Sequence, residues 1–541
     1  MSDVDGRCEG AGVDEQDPNA RVREYLRARY GGDNRRIEDV DFDESLAVRC
    51  MNGTFVGRRA DGIDVFRGIP FVGAQPTGEL RWKPPVACVV DDGVFEAYHN
   101  AKSAYGNPDL ETGSVYDQDE ACLYLNVWRA AGPARKRPVM VWVHGGAFEA
   151  GGTVDPMFDC ANLVRENPDV VFVTIAYRLG VFGFLHLSHL PDGRDFPDAQ
   201  NLGTLDQVAA LRWVHENIAG FGGDPDNVTI FGESAGSASV TLVPLVTGAQ
   251  AYFSRVIAES GTPALTRSTE QAIACTNELM EALGCSTVAD LMAIDARTLK
   301  EASSAISLRM CPERDGRTIP LDPYEAYAQG AASDIDLMVG CNKDEMHFFV
   351  MSFGVEGFMS WAQGRLESLT ERMSDEERAL IEGFRDDVRG EVFEPLSRTL
   401  DQMIFMAPLI RLSECQAKAG GRVYAYHFTP ESSLPILRCG HATELPIVFD
   451  HPDMIEGGGR GFDEAFAAAM RALWIQFARC GDPTAAAGES PDGDARRWPP
   501  YDLEDRYVMV LDEGDIHPER EAELGIVDWE RTYFSTRYYW V

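Results

Sequence analysis

The segment Gly232-Glu233-Ser234-Ala235-Gly236 constrains the fold of this 541-residue chain more than any other. A strand-like apolar run, 227–231, precedes it, and a helix-like run, 237–242, follows it. In a sharp strand-to-helix turn of this type, glycines leave room for the tight backbone and the serine hydroxyl projects above a sheet. The sequence therefore predicts a strand, a turn and a helix in succession, with Ser234 as a candidate nucleophile and Glu233 as a candidate supporting residue beside it.

A glycine-rich loop upstream supplies what acyl-transfer chemistry at a serine requires. An apolar run typical of a buried strand leads into the sequence His-Gly-Gly-Ala-Phe at 144–148. Because glycines carry no side chain, their backbone N–H groups can approach a developing oxyanion, together with the N–H that follows the nucleophile. We expect Gly145, Gly146 and Ala235 to be these donors, and His144 to brace the loop by hydrogen bonding.

The serine also needs a base, and the base needs a carboxylate that orients it. In folds with this turn, the three residues follow in the chain order Ser, then Asp or Glu, then His. His441 lies in a loop after a predicted strand and is the candidate base, whereas His427 lies within that strand and is expected to be an ordinary strand residue. The carboxylate is expected just after the predicted strand 335–340, where spacing leaves both Asp344 and Glu345 open.

These motifs, together with several others, resemble the type-B carboxylesterases, the cholinesterase-like group of esterases and lipases with the α/β-hydrolase fold. The resemblance extends from about Val48 to about Asp512, which is nearly the whole chain. The further segments that carry it, in the family's order, are FRGIPF at 66–71, CLYLNV at 122–127, FGGDP at 221–225, NKDE at 342–345, ELP at 444–446, GDP at 481–483 and WP at 498–499.

The resemblance implies an α/β protein: a central, mostly parallel sheet flanked by helices, with helical and loop insertions that form a gorge. It implies a triad of Ser234, His441 and Glu345, which hydrolyses small carboxylic esters through an acyl-enzyme without cofactor or metal. A lipase acting on longer chains and a catalytically silent binding module on the same fold are the alternatives. The polar region between Tyr98 and Asp119 argues against a lipase lid, and retention of all three triad residues argues against a silent module.

Three other positions near the candidate site are informative. Ser260 matches a family segment near the triad, so it is expected to be either a hydrogen-bonding partner of the triad or a buried structural serine. Met346 and Ala442 stand where the family usually has glycine, directly after Glu345 and His441 respectively. Neither change removes a reacting group.

The order of the motifs favours one large domain, although length alone allows several. With 45% hydrophobic and 25% charged residues, the chain can bury a large core. We find no internal repeat and no apolar stretch long enough to span a bilayer. We predict an N-terminal extension over 1–46, partly disordered or helical, and a single elaborated domain over 47–541. Within that domain, a core helix after Phe462 is predicted from apolar residues at helical spacing: Phe466, Met470, Leu473, Trp474 and Phe477.

The net charge of −38 argues against nucleic-acid and anionic-membrane partners, both of which need a basic face. We interpret the charge as a solvated acidic coat, with steering of cationic substrates as the alternative. The expected partner is a small-molecule ester, with no membrane insertion, and the protein is expected to be a monomer or a homodimer.

Cysteine usage bears on the compartment. The 12 cysteines show no CxxC and no Cys/His cluster typical of zinc sites. In many secreted members of the resembled family, the equivalents of Cys122 and Cys285 belong to two different disulfides. In this chain, the expected partner position of each one holds a residue other than cysteine. Cys275 is predicted to share a helix with Cys285, where a rise of about 15 Å exceeds disulfide reach. Because the N-terminus also lacks a signal-peptide core, we expect a cytoplasmic protein with free thiols.

Overall fold

The computed structural model describes residues 31–524 apart from 39–41, 107–116, 134, 307–309, 371–373, 376–377, 380–381, 384, 386–389, 453, 455–461 and 487–497. Most of the predicted extension over 1–46 lies outside the described residues. Its described part contacts the rest of the chain, since Asn34 Nδ2 donates to Arg67 O at 2.8 Å and to His99 O at 3.0 Å. The boundary at residue 46 stays a prediction.

Fourteen strands occur in the described residues: β1 (Ala47–Cys50), β2 (Gly53–Val56), β3 (Arg58–Ala60), β4 (Ile63–Pro70), β5 (Val94–Glu96), β6 (Tyr124–Ala130), β7 (Arg137–Val143), β8 (Val171–Ile175), β9 (Gly223–Glu233), β10 (Arg255–Glu259), β11 (Asp336–Asn342), β12 (Val423–Phe428), β13 (Tyr507–Asp512) and β14 (Asp515–Arg520). Eleven of them form one sheet in the order β14-β13-β12-β11-β10-β9-β7-β8-β6-β4-β3. All pairs from β8 through β13 are parallel, and the pairs toward both edges are antiparallel. The other three strands make a small sheet, β1-β2-β5.

The α-helices of the described residues are α1 (Ala161–Glu166), α2 (Gly180–Gly183), α3 (Leu202–Asn217), α4 (Ala235–Leu242), α5 (Thr269–Leu283), α6 (Val288–Met292), α7 (Ala296–Ala305), α8 (Pro323–Ala328), α9 (His347–Thr370), α10 (Glu394–Leu400), α11 (Ala407–Lys418), α12 (Leu445–Val448) and α13 (Glu464–Cys480). The path of α9 is interrupted at Gly354 (φ 69°, ψ 166°). A π-helical segment, Asp401–Met406, joins α10 to α11. None of these helices combines the length and apolarity needed to cross a bilayer within the described part of the chain.

The large sheet is buried on both faces. Successive side chains of a strand point to opposite faces, so each strand supplies both cores. In β7, Val139, Val141 and Val143 belong to one hydrophobic cluster, while Met140 and Trp142 belong to the other. This two-sided burial explains why the central strands read as continuous apolar runs, as parallel sheets covered by helices do.

The elements predicted around the candidate site are observed, with shifted ends. The predicted strand 227–231 lies within β9, the helix-like run 237–242 lies within α4, and His427 is a residue of β12, as predicted. The predicted core helix is α13. All five of its predicted core residues are buried in the second cluster.

One prediction about the helices is wrong, because Cys275 and Cys285 do not share a helix. The helix α5 ends at Leu283, where Gly284 adopts the left-handed conformation (φ 65°) that commonly terminates helices. Cys285 N then turns back and donates to Met280 O at 2.9 Å. The glycine was the available signal for this ending.

Candidate active site

Ser234 lies at a strained turn between β9 and α4. Its backbone has φ 58° and ψ −121°, a conformation that costs about 1–3 kcal/mol for a residue with a side chain. Close packing holds it there. Ser234 N donates to Glu259 O of β10 at 2.8 Å, and a Cβ added to Gly261 would lie 2.1 Å from Ser234 O. The sharp strand-to-helix turn predicted from the sequence is therefore present.

The glycine-rich loop packs directly on this turn. A Cβ added to Gly145 would lie 3.2 Å from Ser234 Cβ, so the loop backbone and the serine are immediate neighbours. Gly146 has φ 99°, which favours glycine. Neither glycine donates its backbone N–H to another described residue, and Ala235 begins α4, where helix N–H groups lack intrahelical acceptors. Gly145 and Ala235 thus adjoin Ser234, and none of the three predicted donors has a backbone acceptor among the described residues.

His144 contacts its own loop. Its Nδ1 lies 2.9 Å from Gly145 O, its ring stacks on Tyr177 at 4.5 Å, and Tyr177 OH donates to His144 O at 2.8 Å. Burial lowers the pKa of His144 to about 4, which leaves the ring neutral at physiological pH. These contacts fit the predicted bracing role.

His441 is joined to Glu345. The distance from His441 Nδ1 to Glu345 Oε2 is 2.6 Å, and Glu345 Oε1 accepts from Asn342 N at 2.8 Å. Glu345 is fully buried. Asp344, the alternative that spacing left open, is also buried, but within the described residues its carboxylate does not bond to His441. The geometry thus selects Glu345 as the histidine's partner.

The other ring nitrogen of His441 faces the turn that carries Ser234. His441 Nε2 lies 3.0 Å from Glu233 Oε1, although this approach lacks hydrogen-bond geometry. Burial of His441 disfavours its charged form, but the carboxylates of Glu233 and Glu345 outweigh burial and hold the pKa of His441 well above its usual range. In this arrangement Nε2 faces Glu233, the residue before Ser234, and the two carboxylates favour the charged form of the imidazole.

Further carboxyl groups near the triad were not singled out by the sequence. Burial, with the nearby charges of Glu233 and Glu345, raises the pKa of Glu444 to about 8, and its Oε2 accepts from Asn342 Nδ2 at 2.5 Å. Burial raises the pKa of Glu259 well above its usual range. Glu444 begins the Glu-Leu-Pro segment that closely follows His441, so the sequence did offer a signal for this carboxyl group. The burial of Glu259 could not be read from spacing.

Three aromatic rings pack around His441. The ring centroids of Phe405, Phe349 and Phe348 lie 5.1, 5.8 and 6.0 Å from that of His441. Phe405 comes from the π-helical segment, which no periodicity in the sequence predicts. The same segment supplies Asp401, which accepts a hydrogen bond from Met346 N.

The two positions where glycine was expected are accommodated differently. Met346 is fully buried, and its backbone N donates to Asp401 Oδ1 at 2.7 Å. Burial raises the pKa of Asp401 well above its usual range. Ala442 has φ 64°, a conformation that glycine would adopt without steric cost.

Ser260 does not contact the triad through its side chain. Its backbone has φ 57°, and its N donates to Gly340 O at 2.8 Å. Its hydroxyl is buried without a hydrogen-bond partner among the described residues. The contacts therefore favour the buried structural serine over the triad partner.

Comparison with known proteins identifies the family of this chain. The sequence profile of the Carboxylesterase family matches residues 44–523. The para-nitrobenzyl esterase of Bacillus subtilis (strain 168) is 33% identical over 506 residues, which is 88% of this chain and 98% of the relative. The fumonisin B1 esterase of Sphingopyxis macrogoltabida is 32% identical over 85% of each chain. A crystal structure of a Geobacillus stearothermophilus carboxylesterase is similar with a TM-score of 0.75 and 34% identity, covering 92% of this chain and 100% of that one. With its mostly parallel sheet of the α/β-hydrolase type, this chain belongs to the carboxylesterase family.

Proposed function

We propose that this carboxylesterase hydrolyses small carboxylic esters through an acyl-enzyme on Ser234. The observation that carries the proposal is the position of His441. Glu345 holds its Nδ1 at 2.6 Å, which directs Nε2 to the turn where Ser234 stands. Because a carboxylate at Nδ1 keeps the proton there, Nε2 is the nitrogen that can accept a proton once the imidazole is neutral.

The reaction follows from these positions. Ser234 Oγ attacks the ester carbonyl as His441 Nε2 takes the hydroxyl proton, and Glu345 stabilises the imidazolium that forms. The N–H groups of Gly145, Gly146 and Ala235 stabilise the oxyanion. His441 then protonates the leaving alcohol, and a water molecule hydrolyses the acyl-serine by the same steps in reverse.

A substrate must change the resting contact of His441. Its Nε2 lies beside Glu233, and general-base catalysis requires the nitrogen to face Ser234 Oγ instead. Catalytic hydrogen bonds often tighten only when substrate binds. We propose that a neutral ester, seated against the unused N–H groups of the loop, favours this alternative orientation of the ring.

The substrate class is proposed from the relatives and the site together. The Bacillus relative is named for para-nitrobenzyl esters, and the aromatic rings around His441 offer an apolar wall suited to small acyl or aryl groups. We propose small esters of this kind as substrates, and the mechanism calls on no cofactor or metal.

A panel of para-nitrophenyl esters, from acetate to palmitate, tests this function. We expect a burst of nitrophenol equal to the enzyme concentration, followed by slower turnover, with the highest kcat/KM on the short acyl chains. A rate that rises only on long chains above their solubility limit would indicate a lipase. Absence of hydrolysis across the panel would indicate a silent binding module.

A further inference from the structure

A second hydrogen-bonded serine, histidine and glutamate lies outside the site described above. Ser188 Oγ is 3.0 Å from His186 Nε2, and His186 Nδ1 is 2.7 Å from Glu313 Oε2. Ser188 is exposed, whereas His186 and Glu313 are buried, at 7% and 1% exposure. The contacts match the roles of a catalytic triad, with a carboxylate at one ring nitrogen and a hydroxyl at the other, and such triads are defined by geometry rather than by chain order.

The carboxylate fixes which nitrogen of His186 faces the serine as an acceptor. An ionised carboxylate only accepts hydrogen bonds, so Glu313 places the proton on His186 Nδ1. In a neutral ring with the proton on Nδ1, His186 Nε2 is the acceptor for the hydroxyl of Ser188. This polarity is the one that activates a serine for attack.

Glu313 is held by contacts with three other residues. Its backbone exchanges two hydrogen bonds with the side chain of Asn201, at 2.8 and 2.9 Å. A β-bridge pairs it with Arg267. Its second carboxylate oxygen, Oε1, accepts from Thr269 Oγ1 at 2.6 Å. The carboxylate is therefore fixed at His186, as catalysis by a positioned base requires.

We propose that Ser188 is a second nucleophile, which accepts acyl groups from small activated esters. Ser188 Oγ forms the new bond to the carbonyl carbon while its proton passes to His186 Nε2. Glu313 stabilises the resulting imidazolium. The bond to the leaving alcohol then breaks, and the alcohol takes the proton back from His186, so that the products are O-acyl-Ser188 and the free alcohol.

The environment of Ser188 sets the expected rate. Two of the backbone N–H groups after Ser188 are in use, since Leu190 N donates to Leu187 O and Gly193 N donates to Leu190 O, both at 3.0 Å. One oxyanion donor contributes about 10²–10³ in rate. We expect Ser188 to react at least ~10³-fold more slowly than Ser234, and because deacylation needs the same donors, its acyl group should accumulate rather than turn over.

The test uses the full chain with Ser234→Ala, so that the proposed nucleophile of the main site cannot react. The protein is incubated with para-nitrophenyl acetate, and the acetylated peptides are identified and timed by mass spectrometry. Ser286, another exposed serine without a bonded histidine, is the internal reference. A positioned base contributes about 10²–10⁴-fold, so Ser188 should acetylate at least ~10-fold faster than Ser286.

A second variant, His186→Gln in the Ser234→Ala background, isolates the role of the base. It should lower the Ser188 rate to that of Ser286 without changing Ser286. Should this variant fail to fold, the ratio of the two serines in Ser234→Ala alone decides. Equal rates at Ser188 and Ser286, or a Ser188 rate that His186→Gln leaves unchanged in a folded protein, would overturn the proposal.

Discussion

His441 stands between two carboxylates, and its protonation state controls whether it can serve as a base. Glu345 is at one ring nitrogen and Glu233 is at the other. Both stabilise the imidazolium, and they outweigh the effect of burial, so the pKa of His441 lies well above its usual range. A general base works only in its neutral form. Activity should therefore rise with pH through a midpoint above that of an ordinary histidine.

Glu233→Gln tests this electrostatic account. Removal of one carboxylate lowers the pKa of His441, so the neutral base is available at lower pH. We expect the acidic limb of kcat/KM against pH to move to lower pH. The control is Glu278→Gln, an exposed glutamate on α5. A limb that stays in place, or moves to higher pH, would contradict the assigned role of Glu233.

The neighbouring acids Asp344 and Glu345 give a paired prediction. Glu345→Gln leaves the shape nearly intact but removes the carboxylate that keeps the proton on His441 Nδ1. We expect kcat to fall by roughly 10⁴. Asp344→Asn should have a far smaller effect, because that carboxylate does not bond to His441. Steady-state kinetics on both folded variants decide the matter, and a larger loss in Asp344→Asn would show that the acid is misassigned.

For individual residues, the sequence predicts which side chains belong to the candidate site but not every contact between them. The motifs predict Ser234 and His441, because the turn has a local sequence pattern and the order of the three residues along the chain limits the choice of histidine. Spacing alone could not decide whether Asp344 or Glu345 is the acid. The hydrogen bond between Glu345 and His441 distinguishes the two. The approach of Glu233 to Nε2 depends on how β9 and the loop before α12 meet in space, which no local pattern encodes.

The proposed site is assembled from the carboxyl ends of neighbouring parallel strands. β7 leads into the glycine loop, β9 into Ser234, β11 into Glu345 and β12 into the loop of His441. Ligand sites in open α/β sheets lie outside these strand ends. Four motifs that are far apart in sequence therefore converge at one edge of the sheet. Because each motif directly follows an apolar run, predicting a strand from each run was enough to predict that the motifs lie close together.

Gly236 tests how tightly these elements meet. A Cβ at Gly236 would lie 2.0 Å from Val143 O at the end of β7, where nothing flexible can yield. We expect Gly236→Ala to destabilise the protein by about 1–3 kcal/mol or more and to lower kcat sharply. Urea unfolding and ester hydrolysis measure both effects.

The matched control for this substitution is Gly364→Ala. Gly364 is exposed in α9, and an added Cβ would meet no described atom within 4 Å. Alanine in a helix is favoured over glycine by about 1 kcal/mol. The control should therefore be neutral or slightly more stable. Equal stabilities of the two variants would refute the close approach of α4 to β7.

Some features of the elements lie beyond sequence reasoning. The π-helical segment that carries Phe405 and Asp401 continues α10 and α11 without a break in apolar pattern. The helix α9 is interrupted at Gly354 but not at Gly357 or Gly364, so the presence of a glycine does not by itself predict where the interruption falls. Both features bring side chains to His441 or to its neighbours, so the shape of the pocket wall was the least predictable part of the site.

At the scale of the whole molecule, stability rests on the two cores of the sheet. In the described part of the chain, seven cysteines are buried as free thiols. Burial raises the pKa of Cys50 to about 12, which suppresses the reactive thiolate. These thiols behave as core residues, and the cytoplasmic location expected from the sequence stays a prediction.

Reductant should therefore leave the protein unaffected. We expect thiol titration of the denatured, unreduced protein to find all 12 cysteines free. Dithiothreitol should change neither activity nor melting temperature, because native disulfides typically contribute about 2–5 kcal/mol in proteins that depend on them. Two or more oxidised pairs in protein freshly purified from its native host would overturn the cytoplasmic proposal without affecting the site.

The most direct test of the central claim is the steady-state kcat of Ser234→Ala on a short-chain para-nitrophenyl ester. Loss of the nucleophile of a comparable triad costs on the order of 10⁶ in kcat, and we predict a loss of that size in a protein with an unchanged melting curve. In the wild type, an organophosphate should inactivate the enzyme with one label, on Ser234. A folded Ser234→Ala that keeps a tenth of wild-type activity would contradict the account.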